Sequence, residues 1–330
     1  MKRADSIALF CSLGQELQSF GYTPESRDVI ERSIAENEWF TIVDILRAVE
    51  AIRVEMLDKE RLQRWAEHYP TATTPKRVAV IMAGNIPLVG FFDLLCVILS
   101  GHECHIKPSS KDSVLMRYVV ARLRALDSDI PIYDYVATER YDMAIATGGD
   151  DANRYFRDHF AGTRALLRGS RHSVAILDGK ETEAELQALT TDITAYSGLG
   201  CRSIAMLFVP RSTKLHIPHS AIVNRKMENS LRSLRALYTM QGIEYGDHGA
   251  FITLRGNTFP TRLGVITVTE YDDIAEVRAW LHDNSDLLQC VASHIDIKGA
   301  VPLGRAQYPT LWDYADGIDT MSWLTEEGIF

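Results

Sequence analysis

Two kinds of hydrophobic pattern alternate along the chain: short continuous apolar runs, and longer segments whose apolar residues recur at helical spacing. The run at 77–83, RVAVIMA, is of the first kind, and its length is typical of a strand that is covered on both faces. The segment 110–126 is of the second kind, with Leu115, Val119 and Leu123 on one helical face. Strands that alternate with helices predict parallel pairing and a doubly wound sheet.

The same alternation continues along most of the sequence. Strands are predicted at 77–83, 103–108, 142–149, 164–169 and 173–177, and then at 203–210, 264–270 and 287–295. Helices are predicted at 110–126, 150–160, 181–196, within 217–240 and at 272–283. Residues 1–70 are predicted to be mostly helical, and the tail after 302 is too aromatic for an unpacked linker. The sequence therefore predicts two α/β units preceded by helices.

Two apolar segments bear on localisation. The first, at 1–22, begins with Lys2 and Arg3, but its apolar positions continue at helical spacing through polar residues, so it predicts an amphipathic helix rather than a signal peptide. The second, at 86–101, is shorter than the ~20 residues that a bilayer span needs and contains Asp93. It predicts a buried helix, and no membrane span is expected.

Composition narrows the class of partner. The chain has 330 residues, 46% of them apolar, and a net charge of −9 with acidic and basic residues interspersed. This balance gives no electrostatic footprint for nucleic acid and favours a small molecule or a protein as partner. Five cysteines at wide spacings without a CxxC pair fit a reduced intracellular protein, and we expect a cytoplasmic location.

Glycines and polar residues follow three of the predicted strands. Ligands of open parallel sheets bind at the carboxyl ends of strands, so these residues are candidates for a nucleotide site, with Lys107 and Ser109 suited to ribose hydroxyls or phosphate. The candidates are Gly84 and Asn85, then Lys107, Pro108 and Ser109, then Thr147, Gly148 and Gly149. Neither GxGxxG nor GxxxxGK[ST] is present. The alternatives are structural turns, a solvated Lys107, and Asn85 as the cap of a helix with Pro87 in its first turn.

Cys201 follows a Gly-Leu-Gly turn and precedes an apolar strand. A thiol is a nucleophile only as thiolate, which nearby N–H dipoles favour, and Gly198 and Gly200 allow the backbone to bend so that the sulfur faces a cleft. The alternative is a buried cysteine that packs as a small apolar side chain.

A second cysteine lies among histidines, at His102, Cys104 and His105. On a strand His102 and His105 point to opposite faces, so these residues do not form a convergent ligand set, and no metal is expected.

Three stretches together resemble the aldehyde dehydrogenase superfamily. The stretch VAVIMAGNIPLVGFFDLLCVILSGHECHIKPSSKD at 78–112 is similar to its strand, Asn-x-Pro turn, apolar helix and Lys-Pro-Ser strand; ATGG at 146–149 resembles its glycine turn near the nicotinamide; and YSGLGCRSIAMLFVP at 196–210 resembles its nucleophile segment. Within the superfamily, GLGCRS and the tail GRAQYPTLWDYADGIDTMSWL at 304–324 resemble the LuxC-type acyl-CoA reductases, the fatty acid reductase branch.

The resemblance implies an aldehyde dehydrogenase-like α/β fold with two doubly wound parallel-sheet domains and N-terminal helices. We expect residues 1–196 to form the helices and the nucleotide-binding domain, 197–305 the catalytic domain, and 306–330 a tail that packs back on the body. The likeness also implies a homo-oligomer.

The resemblance further implies reduction of a fatty acyl thioester to the aldehyde with NADPH, NADH being possible. Cys201 would attack the thioester carbonyl, and Asn85 would donate to the oxyanion together with the backbone N–H of Cys201. Lys107 and Ser109 would hold the adenosine ribose. The thioester carrier, coenzyme A or an acyl carrier protein, is left open.

The chain also departs from the family pattern. Where aldehyde-oxidising members carry the glutamate of Glu-Leu-Gly-Gly-Lys, the segment LLRGSRHSVAIL has none, which favours reduction over hydrolysis. His172 in that segment is a candidate proton donor to the leaving thiolate or the nascent alcohol oxygen. The Glu-x-Phe-Gly-Pro segment is missing, and Leu199-Gly200 replaces the usual glutamine before the cysteine. Two alternatives follow: an acyltransferase or thioesterase that uses the same cysteine without hydride transfer, and a non-catalytic nucleotide-binding relic of the fold.

Overall fold

The computed structural model describes residues 2–211, 213 and 216–326. The chain forms two compact units, one comprising the residues up to Ser170 and from Pro309 onward, the other comprising Arg171–Tyr308. The chain therefore divides at 170/171 and not at the expected 196/197, because the strand that follows Arg171 belongs to the sheet of the second unit.

The helices, in chain order, are α1 (Arg3–Glu16), α2 (Pro24–Glu36), α3 (Ile42–Glu55), α4 (Lys59–Ala66), α5 (Phe91–Ser100), α6 (Ser113–Leu126), α7 (Asp150–His159), α8 (Glu183–Thr194), α9 (Arg225–Gln241), α10 (Ile274–Asp283) and α11 (Thr320–Thr325). The strands are β1 (Arg77–Ile81), β2 (Glu103–Lys107), β3 (Ile132–Asp134), β4 (Met143–Thr147), β5 (Arg164–Arg168), β6 (His172–Ile176), β7 (Ile204–Pro210), β8 (Gly246–Asp247), β9 (Ile252–Arg255), β10 (Val265–Tyr271) and β11 (Leu288–Ser293). Short 3₁₀ turns lie at Leu17–Ser19, Ala195–Gly198, Ser285–Leu287 and Ala315–Gly317.

The first unit is built on a parallel sheet of order β3-β2-β1-β4-β5. Successive residues of β1 alternate between its two faces: Val78 and Val80 pack with the cluster that contains α5 and α6, and Ala79 packs with Phe156 and Phe160 around α7. Both faces are buried, which explains the continuous apolar run at this strand. The order of the strands reverses at β1 and β4, and this reversal creates the kind of crevice in which α/β proteins bind ligands.

The N-terminal helices belong to the core of this unit. Leu9 and Leu13 of α1 are buried, and so are Leu17 and Phe20, which lie beyond the end of α1 in and after a 3₁₀ turn, so the helix predicted at the start of the chain is present but ends at Glu16. Side chains of Thr23, Thr41 and Asp58 cap α2, α3 and α4. Hydrophobic burial thus determines the packing of these helices, and local capping determines where three of them begin.

Asp93 lies on the buried helix α5 and forms an ion pair in the interior of the first unit. Its Oδ1 accepts a hydrogen bond from Arg168 Nη1 at 2.5 Å, and Arg168 Nη2 donates to Thr320 Oγ1 at 2.7 Å. Both charged side chains are almost fully buried. Burial alone would lower the pKa of Arg168, but the carboxylate of Asp93 outweighs burial and raises it. The charge within this apolar segment is therefore compensated inside the fold.

Among the described residues no helix is both long and apolar enough to cross a bilayer.

The second unit contains a six-stranded sheet of order β11-β6-β7-β10-β9-β8, parallel except for the antiparallel pair β8 and β9. Alternate residues again serve opposite faces, with Leu207 and Leu189 of α8 in one cluster and Phe208 and Val277 of α10 in the other. The sheet architecture expected from the sequence is confirmed, whereas the short strands β3, β8 and β9 were not anticipated.

His294, which follows β11, contacts the carboxylate of Asp178 after β6 and the carboxylate of Glu185 on α8. Its Nε2 lies 2.8 Å from Asp178 Oδ1 and its Nδ1 lies 3.2 Å from Glu185 Oε1. Burial alone would lower the pKa of His294, but these two hydrogen bonds outweigh burial and raise it. Burial would raise the pKa of Asp178, but hydrogen bonds from the Lys180 N–H and from His294 outweigh it and lower that pKa.

We predict that Asp93→Ala strongly destabilises the protein, because it leaves the Arg168 guanidinium buried without its carboxylate. The expected loss is about 3–5 kcal/mol in the free energy of unfolding, measured in urea. Asp28→Ala is the control: Asp28 pairs with Arg32 on the exposed face of α2, and its loss should cost about 0.5 kcal/mol or less. A loss for Asp93→Ala as small as that for Asp28→Ala would contradict the stabilising role of the buried pair.

The second prediction concerns pH. Because the folded-state pKa of His294 lies above its ordinary value of 6.5, its stabilisation is present below that value and is lost as the pH rises through the folded-state pKa. We expect the melting temperature of wild type to fall by about 1–2 °C more than that of His294→Ala between pH 6 and pH 8, since partly exposed pairs are weak. His282→Ala, at an exposed site on α10, is the control. Identical pH dependence of wild type and His294→Ala would refute the assignment.

Candidate active site

The loop between β1 and α5 carries Asn85 and is held in an unusual conformation. Leu88 has a φ of +57°, a left-handed value that is costly for a branched side chain. Its N–H donates to Oδ2 of the buried Asp112 at 2.8 Å. The helix begins only at Phe91, with Gly90 as N-cap. The prediction that Asn85 caps this helix with Pro87 in its first turn is therefore wrong, and Asn85 is an exposed loop residue.

Gly84 is tightly enclosed at the start of the same loop. A Cβ at this position would lie 2.6 Å from Cβ of Ser109, so only glycine fits. The side-chain amide of Asn37 donates to the carbonyl oxygens of Gly84 at 3.3 Å and Lys111 at 3.2 Å. Two of the expected cofactor residues, Gly84 and Ser109, are thus in direct proximity, and the loop is fixed from two sides.

Lys107 and Pro108 lie at the end of the neighbouring strand. Lys107 is the last residue of β2, stands in register with Ile81 of β1, and is exposed. Its carbonyl oxygen accepts a hydrogen bond from Met82 N–H at 3.0 Å. Lys107 therefore lies at the carboxyl edge of the first sheet beside the loop of Gly84.

Thr147, Gly148 and Gly149 connect β4 to α7. A Cβ at Gly148 would lie 2.7 Å from Cβ of Ala152, so glycine permits α7 to begin close to the strand end, whereas a Cβ at Gly149 would meet no atom within 4 Å. Gly149 is the N-cap and offers no side chain to the first N–H groups of α7. Because β4 is the neighbour of β1, this helix start lies at the same edge, where its N–H groups suit an anion.

Cys201 lies in the second unit, after a strained turn. Tyr196 and Ser197 each have a φ of +54°, and Gly198 follows at +74°. The left-handed conformation costs roughly 1–2 kcal/mol for each residue other than glycine. Such strain persists only where the surroundings enforce it, and it is concentrated at functional sites.

The cysteine itself occupies the second position of a tight turn. Gly200 O accepts the N–H of Ser203 at 2.9 Å, and Cys201 O accepts the hydroxyl of the buried Ser173 at 2.8 Å. Cys201 is exposed, whereas Cys96, Cys104 and Cys290 are buried. Burial raises the pKa of both Cys96 and Cys104. Cys201 is accordingly the thiol most accessible to a substrate.

His172 lies at the same edge of the second sheet as Cys201. It is the first residue of β6, and the adjacent Ser173 both pairs in register with Ile204 of β7 and holds the carbonyl of Cys201. The imidazole stacks on Phe259 with ring centroids 4.2 Å apart. Burial lowers the pKa of His172, which favours the neutral ring. In its neutral form the ring can accept a proton, whereas the role expected from the sequence is that of a proton donor.

His102 and His105, which lie on either side of Cys104, make structural contacts. His102 Nδ1 accepts the N–H of Lys76 at 3.2 Å, and its Nε2 lies 3.0 Å from Leu324 O. His105 packs against the rings of Tyr133 and Tyr141.

The group within the described residues whose ligand atoms lie close enough together for a metal is Asp178, Glu181 and His294. These residues follow β6 and β11, at the carboxyl edge of the second sheet, opposite the edge that carries Cys201. Both ring nitrogens of His294 already contact carboxylates, so we interpret this group as an ion-pair network.

The fold, the exposed cysteine and the glycine-rich strand ends agree with a family assignment from sequence. Residues 22–241 match the family described as Acyl-CoA reductase (LuxC). The chain belongs to the acyl-CoA reductase (LuxC) family.

Two relatives of this LuxC-family chain are long-chain acyl-protein thioester reductases. The chain is 24% identical over 196 residues to long-chain acyl-protein thioester reductase 2 of Photobacterium leiognathi, covering 52% of this chain and 41% of the relative. It is 30% identical over 148 residues to the long-chain acyl-protein thioester reductase of Aliivibrio fischeri, covering 39% of this chain and 31% of the relative. The matches thus span less than half of each relative.

The LuxC-family chain also has the fold of the aldehyde dehydrogenases. An NAD⁺ complex of aldehyde dehydrogenase from Bacillus cereus superposes with a TM-score of 0.59 at 14% identity, covering 90% of this chain and 73% of that structure. This likeness confirms the aldehyde dehydrogenase-like fold expected from the sequence.

Four residues that fix the loop of Asn85 or the turn of Cys201 were not predicted from the sequence to belong to the site. Buried or partly buried hydrogen bonds to loop residues or their neighbours are made by Asn37, Asp112, Ser173 and Gln307. Each contact joins segments at least 24 residues apart, so no local motif marks them.

The structure predicts selective alkylation of Cys201 in the native protein. Iodoacetamide should label Cys201 at least about 10-fold faster than Cys96, Cys104 or Cys290, because reaction requires access and thiolate. Peptide mass spectrometry of briefly treated protein measures the ratio, and protein unfolded in urea, in which all the thiols are accessible, is the control. Equal labelling of the buried thiols in the folded protein would contradict the assignment of Cys201 as the accessible one.

Proposed function

We propose that this protein reduces a long-chain acyl thioester to the aldehyde with a reduced nicotinamide cofactor, through a thioester formed on Cys201. The observation that carries the proposal is an exposed cysteine that follows a strained turn ending in Gly198, in a chain of the LuxC family.

The first step is acyl transfer to the cysteine. The thiolate of Cys201 attacks the carbonyl carbon of the substrate, the bond from that carbon to the carrier sulfur breaks, and the carrier leaves as a thiolate that takes up a proton. The hydrogen bond that closes the turn joins Gly200 and Ser203, so the N–H of Cys201 is directed outward from the turn. This direction suits donation to the oxygen of the attacked carbonyl.

His172 is proposed as the group that moves the proton. Its lowered pKa keeps the imidazole neutral near pH 7, and it lies at the edge of the sheet that carries Cys201. In this form it can accept the thiol proton and return it to the departing carrier sulfur.

The residues of the first unit fit a dinucleotide. A glycine-capped helix start at Gly149 suits a pyrophosphate, the enclosed Gly84 permits close approach of the backbone, and Lys107 and Ser109 suit a ribose. Bound there, a reduced nicotinamide would supply hydride to the carbonyl carbon of the cysteinyl thioester; the bond from that carbon to sulfur would then break, with release of the aldehyde and the Cys201 thiolate. NADPH is preferred over NADH only on the family likeness.

Asn85 is proposed as an oxyanion donor. Asn85 is an exposed residue, and the loop that carries it is fixed by Asp112 at Leu88 and by Asn37 at Gly84. A donor on a rigid loop needs little reorganisation during reaction, which is the condition for strong stabilisation of an oxyanion.

The chemistry of the substrate is inferred from the relatives. By their names, both relatives act on long-chain acyl groups carried by a protein, and the description of the family names acyl-CoA. We propose a long-chain acyl thioester as substrate, with coenzyme A and acyl carrier protein as the two carriers to be compared.

The test is mass spectrometry of the protein after incubation with a long-chain acyl-CoA, or with the same acyl group on acyl carrier protein, in the absence of reductant. We expect an acyl adduct on Cys201 and none in Cys201→Ala, since the acceptor sulfur is absent. NADPH added afterwards should remove the adduct with release of aldehyde. Cys201→Ser provides a control of similar volume.

Two other results would indicate a different function. An adduct that is hydrolysed or passed to an acceptor, without consumption of NADPH or NADH, would replace the proposal by an acyltransferase or thioesterase. Neither adduct formation nor binding of either cofactor would leave a non-catalytic member of the fold.

A further inference from the structure

The segment at 304–307 forms hydrogen bonds to residues before and after the turn Gly200–Ser203, which contains Cys201 and is called the cysteine turn below. The segment lies about a hundred residues away from this turn in sequence. The carboxylate of Asp192 accepts the N–H of Gly304 at 2.6 Å and of Ala306 at 3.2 Å. Asp192 belongs to α8, the helix that leads into the strained turn, and it is fully buried. The segment is therefore fixed to the helix that precedes the cysteine.

The same segment also holds the residues that follow the cysteine. Gln307 is 4% exposed, and its Nε2 donates to Asp192 O and to Ser203 Oγ, each at 3.3 Å. Arg202 Nη1 donates to Ala306 O at 3.4 Å. One buried amide thus joins the helix before the turn to the residue that ends it.

The peptide group between Gly200 and Cys201 connects these hydrogen bonds to the proposed reaction. The carbonyl of Gly200 and the N–H of Cys201 belong to the same planar peptide, so the hydrogen bond from Ser203 N–H to Gly200 O fixes the direction of the Cys201 N–H. Ser203 can hold that bond only while its own position is fixed, and its side chain is held by Gln307.

We propose that Gln307 is a positioning residue for Cys201: by holding Ser203 against α8, it keeps the Cys201 N–H and sulfur in the geometry that acylation requires. The inference rests on the proposed function, because it concerns the acylation step. It gives a role to the glutamine of the GRAQ stretch, which the chemistry described above leaves unassigned.

The strained turn explains why such a link is needed. Tyr196 and Ser197 are held in a left-handed conformation just before the cysteine. Without contacts that enforce it, this backbone relaxes toward ordinary values and carries Cys201 with it. Since a displacement of about 1 Å can cost 10²-fold in rate, loss of one link is sufficient to slow the reaction.

The experiment compares two reactions of the same sulfur. Alkylation of Cys201 by iodoacetamide depends on access and thiolate fraction, whereas acylation by a long-chain acyl-CoA or acyl carrier protein also requires the oxyanion donor to be in place. Gln307→Met retains the volume of the side chain and removes the amide donor. We expect it to slow acylation at least about 10-fold and to change alkylation by no more than about 2-fold.

Two further variants separate positioning from loss of stability. Ser203→Ala removes the same hydrogen bond from the other side, and the double variant should lose little more than the more affected single variant, because both act through one contact. Ser203→Thr retains the hydroxyl and should preserve most of the acylation rate. Asn224→Ala, which removes the buried cap of α9 in the same unit, should lower the melting temperature without slowing acylation of the folded protein.

The outcomes distinguish this inference from the proposed function. If wild type is acylated and Gln307→Met slows acylation and alkylation equally, or slows neither, the positioning role is overturned and the proposed function stands. Additive losses in the double variant also overturn it. If wild type is alkylated at Cys201 but is not acylated by either carrier, the proposed function fails and the positioning role fails with it.

Discussion

The constraint on which the candidate active site depends is backbone strain held by buried hydrogen bonds. Of the described residues other than glycine, four have a positive φ: Leu88, Tyr196, Ser197 and Asp316. Three of them stand within a few residues of Asn85 or Cys201. Strained backbone persists only when its surroundings over-determine it, so the groups that enforce these conformations are part of the site even where they touch no substrate.

Each unit contains a buried carboxyl group that accepts backbone N–H groups, that of the strained Leu88 itself in the first unit and those of Gly304 and Ala306 in the second. In the first unit Asp112 holds Leu88, and burial raises the pKa of that carboxyl well above its usual range. In the second unit Asp192 holds the segment that carries Gln307. The N–H groups are thereby satisfied without water, and a loop fixed in this way offers its reactive groups in one geometry.

The sequence predicted the sheets well because their signals are local. Runs such as 77–83 are buried on both faces, and their continuous apolar character follows directly from that burial. The glycines at 84 and 148 were also predictable, since a close approach of backbone leaves no room for a Cβ. The interpretation of Asn85 as a cap failed because the path of that loop is decided by Asp112. Gln307 could be recognised only as part of a stretch resembling a family, since its partners Asp192 and Ser203 are far away in sequence.

The C-terminal segment has a consequence for the order in which the protein folds during synthesis. Trp65 Nε1 donates to the hydroxyl of Tyr314 at 2.8 Å, Tyr69 donates to Asp319 at 2.8 Å, and Arg168 reaches Thr320 within the same unit. The first unit therefore closes its interior with residues that are synthesised after the whole of the second unit, which is continuous from Arg171 to Tyr308. On a translating ribosome the second sheet can be complete while the first unit still lacks α11, a reversal of the usual N-to-C sequence of domain folding.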